Sequence, residues 1–248
     1  MKQALPHAAA GLLLSALLLA APLCTRAEAL GQTSRWQVEL TPYYLGNMNV
    51  SGSTRFKPPQ ASGGTTYAGQ SNQPGFGLRL EAGADNSGWW LDAQRTRLSQ
   101  DSDAGSLKGR QDTVQLAGAA RVVDGPDTFV DLIGGVRYVS VSLEQGLAQD
   151  APKAAGVWGS QRAHWADAVT GVRVQSRLSE RGWLTAYGDI GGGGSKRTWQ
   201  GQVGMDFRVT QGVTVTVGYR VLVLDYNKPE LAYDPRIAGG YAGLAIRF

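Results

Sequence analysis

His164 is the natural starting point for chemistry, because the chain has two histidines and the other, His7, lies in an apolar leader. A serine nucleophile needs a base within hydrogen-bond reach. Ser140 and Ser160 could be paired with His164, but no spacing links either of them to it. Asp101 and Asp103, in "DSD", offer paired carboxylates. They lie in an outward loop, where solvated charges are expected. "GGGGS" (Gly191–Ser195) has the glycines of a phosphate cradle without the Lys-[Ser/Thr] and helix that complete one, so a tight hairpin is expected. The one cysteine, Cys24, lies in the leader, which removes disulfides and thiolate ligands from the mature chain. No metal-ligand cluster is present. The expectation is a non-enzyme: no catalytic residues, no cofactor and no metal.

The elements that position these residues are strands. Lys2, the run "AAAGLLLSALLLAAPL" and "AEA" (Ala27–Ala29) form a secretory signal-peptide pattern, so residues 1–29 are set apart, with Ala27 as a second cut site and Cys24 as a less fitting acylation site. The mature segment is taken as 30–248. Thereafter apolar residues recur with period two. In "TWQGQVGMDFRV" one face is Trp199, Gly201, Val203, Met205, Phe207 and Val209, and the other is Thr198, Gln200, Gln202, Gly204, Asp206 and Arg208. Strand side chains alternate sides, so one face is apolar and the other polar. "WQVELTPYY" and "VTVTVGYRV" behave alike, with Tyr43 on the polar side. About ten such segments occur, near 35–46, 75–84, 88–98, 111–122, 128–144, 165–178, 183–191, 198–209, 213–225 and 239–248. Tight polar turns at 85–88, 124–127, 179–182 and 210–212 alternate with longer links at 47–74, 99–110, 145–164, 191–197 and 226–238.

Thirty-four glycines, 18% charged residues and a mean hydropathy of -0.21 exclude a helical membrane bundle but suit a membrane barrel, whose apolar face is hidden by alternation. The net charge of +4 comes from singly scattered basic residues, so nucleic acid is not an expected partner. The pattern predicts an all-β, antiparallel up-and-down transmembrane barrel of about ten strands, with eight or twelve as alternatives. Segment 48–57 would either extend the first strand or form its own hairpin. A secreted soluble barrel or sandwich is the competing fold.

"WADAVTGVRVQSRL", "WLTAYGDIGGGG", "TWQGQVGMDFRV", "VTVTVGYRVLVLDY" and "GLAIRF", with "WQVELTPYYLG" near the start, resemble a group of uncharacterised Gram-negative outer-membrane β-barrel proteins. Their pattern is W-x-D-P-x-x-G-x-R, Y-G-D-I-G-G, T-W-Q, G-Y-R and a terminal G-L-x-x-x-F. The likeness runs from Trp36 to Phe248, with Ala168 where that group favours proline. It implies fold and outer-membrane location, and no activity. It also implies that Phe248, Ile246, Leu244 and Ala242 form the label read by the barrel-assembly machinery. The "DSD" similarly resembles the paired aspartates of omptin-type surface proteases, whose second half is an Asp-x-His pair; here the residue two before His164 is Arg162, so that half is missing.

Assigning each polar face to the lumen collects Glu39, Arg79, Glu81, Asp92, Asp131, Arg137, Asp167, Arg173, Arg177, Asp189, Asp206, Arg208, Arg220 and Arg247. A ten-stranded lumen is narrow, and charges removed from water need partners, so an interdigitated Arg–carboxylate network is expected. It would plug the barrel, or set the selectivity of a narrow channel for ions or small solutes. Arg95 and Arg97 break the pattern by falling in the lipid register of "WWLDAQRTRL". They would either meet lipopolysaccharide at the outer interface or be turned inward by a bulge. The functional expectation is a monomeric, non-enzymatic envelope protein acting through surface loops or envelope integrity. The alternatives are the narrow channel and an outer-membrane lipid A or peptide hydrolase.

Overall fold

The computed structural model describes residues 36–56, 63–71, 73–102, 105–147 and 159–248; the leader at 1–29 and Asp103 lie outside them. The strands are β1 (Gln37–Phe56), β2 (Gly63–Ser71), β3 (Gly75–Ala84), β4 (Ser87–Ser102), β5 (Gly105–Asp124), β6 (Thr128–Leu147), β7 (Gly159–Arg177), β8 (Gly182–Gly193), β9 (Arg197–Arg208), β10 (Val213–Asn227), β11 (Leu231–Tyr233) and β12 (Arg236–Arg247). Every pairing is antiparallel. β12 pairs with β10 on one side and β1 on the other, and β1 pairs with β3, so the sheet closes into a barrel.

Among the described residues twelve strands form, the number held as an alternative to about ten, and two prolines account for the difference. β2 and β3 lie end to end along one edge of β1, from Phe56↔Gly63 to Met48↔Ser71 and then Leu45↔Gly75 to Gln37↔Gly83. Pro74 stands between them. β11 and β12 lie end to end along the other edge, with Pro235 between them. Proline donates nothing to a ladder, so pairing breaks at each. Gly52 faces the second break with φ of 143°, and a Cβ there would come 2.3 Å from the Asp234 carbonyl oxygen. Segment 48–56 both extends the first strand and pairs with a hairpin partner. The long links expected at 99–110 and 47–74 are largely strand as well: β4 and β5 stay paired up to Ser102↔Gly105.

Short connections at 85–86, 125–127, 178–181 and 209–212 mark one end of the barrel, here the turn end. Toward that end the outward face is apolar, with Leu78, Leu132, Val136, Val172, Val203, Val217 and Leu244 well exposed, while the inward residues are mostly polar, around a small apolar cluster of Trp90, Ala117, Ile133 and Tyr187. Toward the opposite, loop end the two faces exchange character. In β6 the inward residues run Asp131, Ile133, Gly135, Arg137 and then Val139, Val141 and Leu143, the last three completely buried. In β10, Arg220 is followed inward by Leu222 and Leu224. β1 makes the same change across a bulge between Gly46 and Asn49, which brings Met48 and Val50 inward after Tyr43 and Leu45. These side chains, with Phe56, Leu98, Trp165, Leu231, Tyr233 and Ile237, form one apolar core inside the loop end.

The strand lengths explain this core. β1, β5 and β6 each have 20 residues. At about 3.3 Å per residue and a tilt of about 40°, they rise roughly 50 Å, twice the ~25 Å apolar band of a membrane barrel. The loop-end half therefore stands in water, and must hide apolar side chains on its inside like any soluble domain. Truncating this core should destabilise the barrel as a soluble core would: Leu224→Ala is expected to cost about 2–5 kcal/mol in denaturant unfolding of the refolded protein. Leu244→Ala, on the apolar outward belt, should cost distinctly less.

Candidate functional site

The polar interior is organised around three arginines, each reaching past its neighbouring strands. Arg220 of β10 crosses to β4, where Nη2 donates to Asp92 Oδ2 at 2.9 Å and Nη1 to Gln94 Oε1 at 2.8 Å, and it reaches Tyr43 Oη on β1 at 3.0 Å. Asp92 also accepts from Arg79 Nη2 at 3.0 Å and from Tyr43 Oη at 2.5 Å. Arg137 of β6 is fully buried. It donates to Asp189 Oδ2 at 2.5 Å, Gln115 Oε1 at 2.8 Å and Thr198 Oγ1 at 2.8 Å, on β8, β5 and β9. The Tyr187 hydroxyl donates to the same Asp189 oxygen. Arg173 of β7 donates to Glu81 Oε1 across the lumen at 2.6 Å and to Asp131 Oδ2 at 3.0 Å, and Arg121 donates to Asp131 Oδ1 at 3.0 Å.

Alternation explains why these groups meet. Each occupies an inward position of an unbroken register, and short-range pairing between strands sets their heights. Ionised donors and acceptors in such forks make the stronger class of hydrogen bond, and once enclosed neither partner can lose the other cheaply. Two aromatic faces add to this: the Arg173 guanidinium lies 5.2 Å from the Trp90 ring centroid, and that of Arg121 lies 4.4 Å from Phe129.

Of the fourteen residues assigned to the lumen, the structure brings Arg79, Glu81, Asp92, Asp131, Arg137, Arg173, Asp189 and Arg220 into these clusters. Glu39 and Arg247 pair with each other at 3.0 Å across β1 and β12, nearer the turn end. The other four behave differently. Asp167 is buried but takes no arginine; it accepts from Ser195 N at 2.7 Å, Ser195 Oγ at 2.8 Å and Trp165 Nε1 at 3.0 Å. That contact gives the "GGGGS" hairpin its role, holding Ser195 against β7. Asp206 accepts from Thr185 at 2.8 Å. Arg208 borders the cavity described below, and Arg177 is exposed, 5.4 Å from the Trp183 ring.

Sequence reasoning passed over Arg121, although Gln111, Thr113, Gln115, Ala117 and Ala119 lead to it by steps of two. It also omitted the neutral partners Gln94, Gln115, Tyr187 and Thr198, since it collected charges alone. Between the clusters and the turn end lies a cavity of about 400 Å³, bordered by Arg79, Glu81, Asp92, Arg173, Asp206 and Arg220 among others.

On the outside, β4 and β5 pair without a shift from Ser87↔Ala120 to Ser102↔Gly105, so no bulge turns Arg95 and Arg97 inward. Both face out, and Arg95 Nε donates to Asp112 at 2.6 Å. His164 also faces out, its ring 6.4 Å from that of Tyr138. Ser140 is its register partner, yet no hydrogen bond joins the two. Among the described residues no group of histidine, cysteine or carboxylate side chains could hold a metal ion.

Comparison with solved structures gives a barrel. The outer-membrane protease OmpT of Escherichia coli superposes with a TM-score of 0.58 at 11% identity, over 89% of this chain and 99% of that one. The fold is that of an outer-membrane β-barrel. The translocator domain of the autotransporter NalP from Neisseria meningitidis (TM-score 0.43, 13% identity, 97% of this chain and 98% of that one) and Ail, the attachment invasion locus protein of Yersinia pestis (0.38, 11%, 86% and 98%), are more distant. No family model and no curated protein matches the chain. The specific motifs of the resemblance thus find no counterpart in these comparisons, whereas the barrel does.

The Arg137 cluster makes a clean energetic test. Arg137→Ala strands Asp189 in the interior and should cost about 3–5 kcal/mol, while the double change Arg137→Met with Asp189→Leu should recover most of it. Denaturant unfolding of the three proteins measures both numbers.

Proposed function

We propose that the protein is a monomeric, non-enzymatic barrel of the bacterial outer membrane, exported by its leader, whose lumen is closed and whose surface does the work. The supporting observation is the double filling of the interior. A water-filled path from the turn end meets the Arg220–Asp92 and Arg137–Asp189 clusters, and beyond them an apolar core in which Val139, Leu143 and Tyr233 are completely buried. Ions cross neither an interlocked ion-pair lattice nor a packed apolar core without displacing side chains. The apolar outward belt fits hydrocarbon, and the polar loop-end exterior fits water beyond it.

A surface or envelope role is supported by the charged outer surface, where the Arg95 and Arg110 side chains remain more than half exposed. OmpT is a protease by name; here the features that would support hydrolysis are scattered, since His164 faces outward and is not bonded to Ser140. The second reading, a narrow conduit, is favoured by one feature, the 400 Å³ cavity, which supplies half of a pathway.

The terminal strand supports assembly by the outer-membrane machinery. Ala242, Leu244 and Ile246 face the same way as Tyr44 and Leu40, and Phe248 N donates to the Val38 carbonyl at 2.9 Å. Phe248 is thus tied into the ladder while its ring remains exposed.

Planar-bilayer recording decides between the two readings. The closed barrel is expected to give no steady conductance, and a steady conductance lowered by Arg220→Ala or Asp206→Asn would establish the channel instead. Deleting Phe248 should reduce the amount of heat-modifiable barrel in the outer membrane, and unchanged amounts would remove the assembly role.

A further inference from the structure

The cavity at the turn end is built to stay open. Side chains readily fill the lumen of a narrow barrel, yet the wall made by β9, β10 and β12 turns Gly204, Thr214, Thr216, Gly218, Gly243 and Ala245 inward. The Tyr241 ring lies against this wall, over Gly204 and Gly218, where a Cβ on either glycine would run into it. Its hydroxyl accepts from Gln202 Nε2 at 2.8 Å. Tyr43 lies over Gly77 in the same way. Two large side chains that could plug the space are thus laid along its wall. About 400 Å³ remains, within the range of small-molecule sites.

The charges around this space are matched, with one exception. Glu39 pairs with Arg247 at 3.0 Å, Glu81 with Arg173 at 2.6 Å, and Asp92 with Arg79 at 3.0 Å and Arg220 at 2.9 Å, while Arg121 reaches Asp131 at 3.0 Å. Among the described residues bordering the cavity, only the charged side chains of Asp206 and Arg208 form no ion pair. Asp206 is half-buried and accepts from the Thr185 hydroxyl at 2.8 Å; Arg208 stands exposed at the mouth. Neither has a charged neighbour across the ladder. The register sets Thr216 and Trp183 opposite Asp206, and Thr214 opposite Arg208. A carboxylate partly withdrawn from water and held by a hydroxyl alone is under-compensated. An anion or a cation as ligand would meet one of these two groups and leave the other, so the pair fits a ligand that carries both charges.

The spacing narrows that ligand. Asp206 and Arg208 occupy successive inward positions of β9, about 7 Å apart along the strand, and two residues of an extended peptide span about the same length. We propose that the turn-end cavity binds short peptides with free ends, of dipeptide length, whose ammonium is held by Asp206 beside Thr185 and Thr216 and whose carboxylate is held by the Arg208 guanidinium beside Thr214. A guanidinium fork takes a carboxylate through two parallel hydrogen bonds, and the Tyr241 and Trp183 rings offer apolar surface to the ligand's side chains. The site goes beyond the closed-barrel reading and requires only that the cavity be reached from the turn end.

Equilibrium dialysis of labelled L-alanyl-L-alanine against the full barrel in detergent micelles tests it. Hydrogen bonds to charged groups set the expected scale: acetylating the dipeptide's amine, or amidating its carboxyl, should weaken binding to the wild type about tenfold or more. Asp206→Asn should weaken binding of the free dipeptide by the same factor and respond no further to acetylation. Arg208→Gln should behave likewise toward amidation. Asp112→Asn, on the outer face, should bind as the wild type does. Heat-modifiable mobility checks that each variant is folded, and the blocked peptides test the wild type without any substitution. Absence of dipeptide binding by the folded wild type, or equal affinity for free and blocked dipeptides, would overturn the site. Tighter binding of sucrose, a neutral disaccharide, than of the dipeptide would overturn its assignment to a peptide.

Discussion

The structure depends on one constraint: each long strand passes from apolar surroundings into water without leaving the barrel wall. A side chain's face is fixed by the pleat, so the strand cannot turn over when its surroundings change. The sequence must change in its place. In β6 the apolar set moves from even to odd numbers between Tyr138 and Val139, and in β10 it is doubled at Val221–Leu224. In β1, where the switch falls beside Gly46, a bulge performs it in the backbone instead. Everything inside the barrel follows from this crossing. Toward the turn end the outside is apolar and the inside is left to polar groups. Toward the loop end the inside becomes a core.

A polar interior in so narrow a barrel is then limited in what it can contain. Ionised side chains enclosed there are stable only as partners, and the structure meets that need with arginines long enough to bridge strands that do not touch. Arg220 reaches from β10 to β4 and Arg173 from β7 to β3. The buried aspartates take more than one donor: Asp92 accepts from two arginines and a tyrosine, and Asp131 from two arginines. Such groups act as cross-braces. They tie opposite walls of the barrel, where backbone pairing ties only neighbours, and they make the lumen expensive to open.

Alternation made the barrel, the approximate strand positions, the turn end and most of the inward charges legible in the sequence. Its failures have one physical source. A period-two pattern fixes which residues share a face, without saying what lies on either side. In β6 the exchange of faces leaves only one trace, the adjacent apolar pair Tyr138 and Val139, after which "VSVSL" alternates as regularly as the residues before it, and the apolar core at the loop end went unforeseen. The number of strands suffered for a related reason. Proline interrupts pairing without interrupting direction, so Pro74 and Pro235 each divide one continuous course of chain into two strands. Neutral partners such as Gln115 and Thr198 were invisible because their importance comes from the arginine they meet, and that meeting joins strands far apart in the chain.

Arg95 and Arg97 looked anomalous only while the whole outward register was taken as lipid-facing. With the β4–β5 register unbroken, they mark the level at which β4 leaves the apolar belt, as Lys108 and Arg110 do on β5 and Arg162 on β7. Inside, at the same change, Thr96 and Leu98 replace Asp92 and Gln94 as the barrel passes from ion pairs to its apolar core. Water-facing positions are usually filled by a mixture of charges, because opposite neighbours attract. Here the register sets Arg97 opposite Arg110 at the level where the apolar belt ends, and Asp112, one row toward the turn end, lies 2.6 Å from Arg95 and 3.7 Å from Arg110.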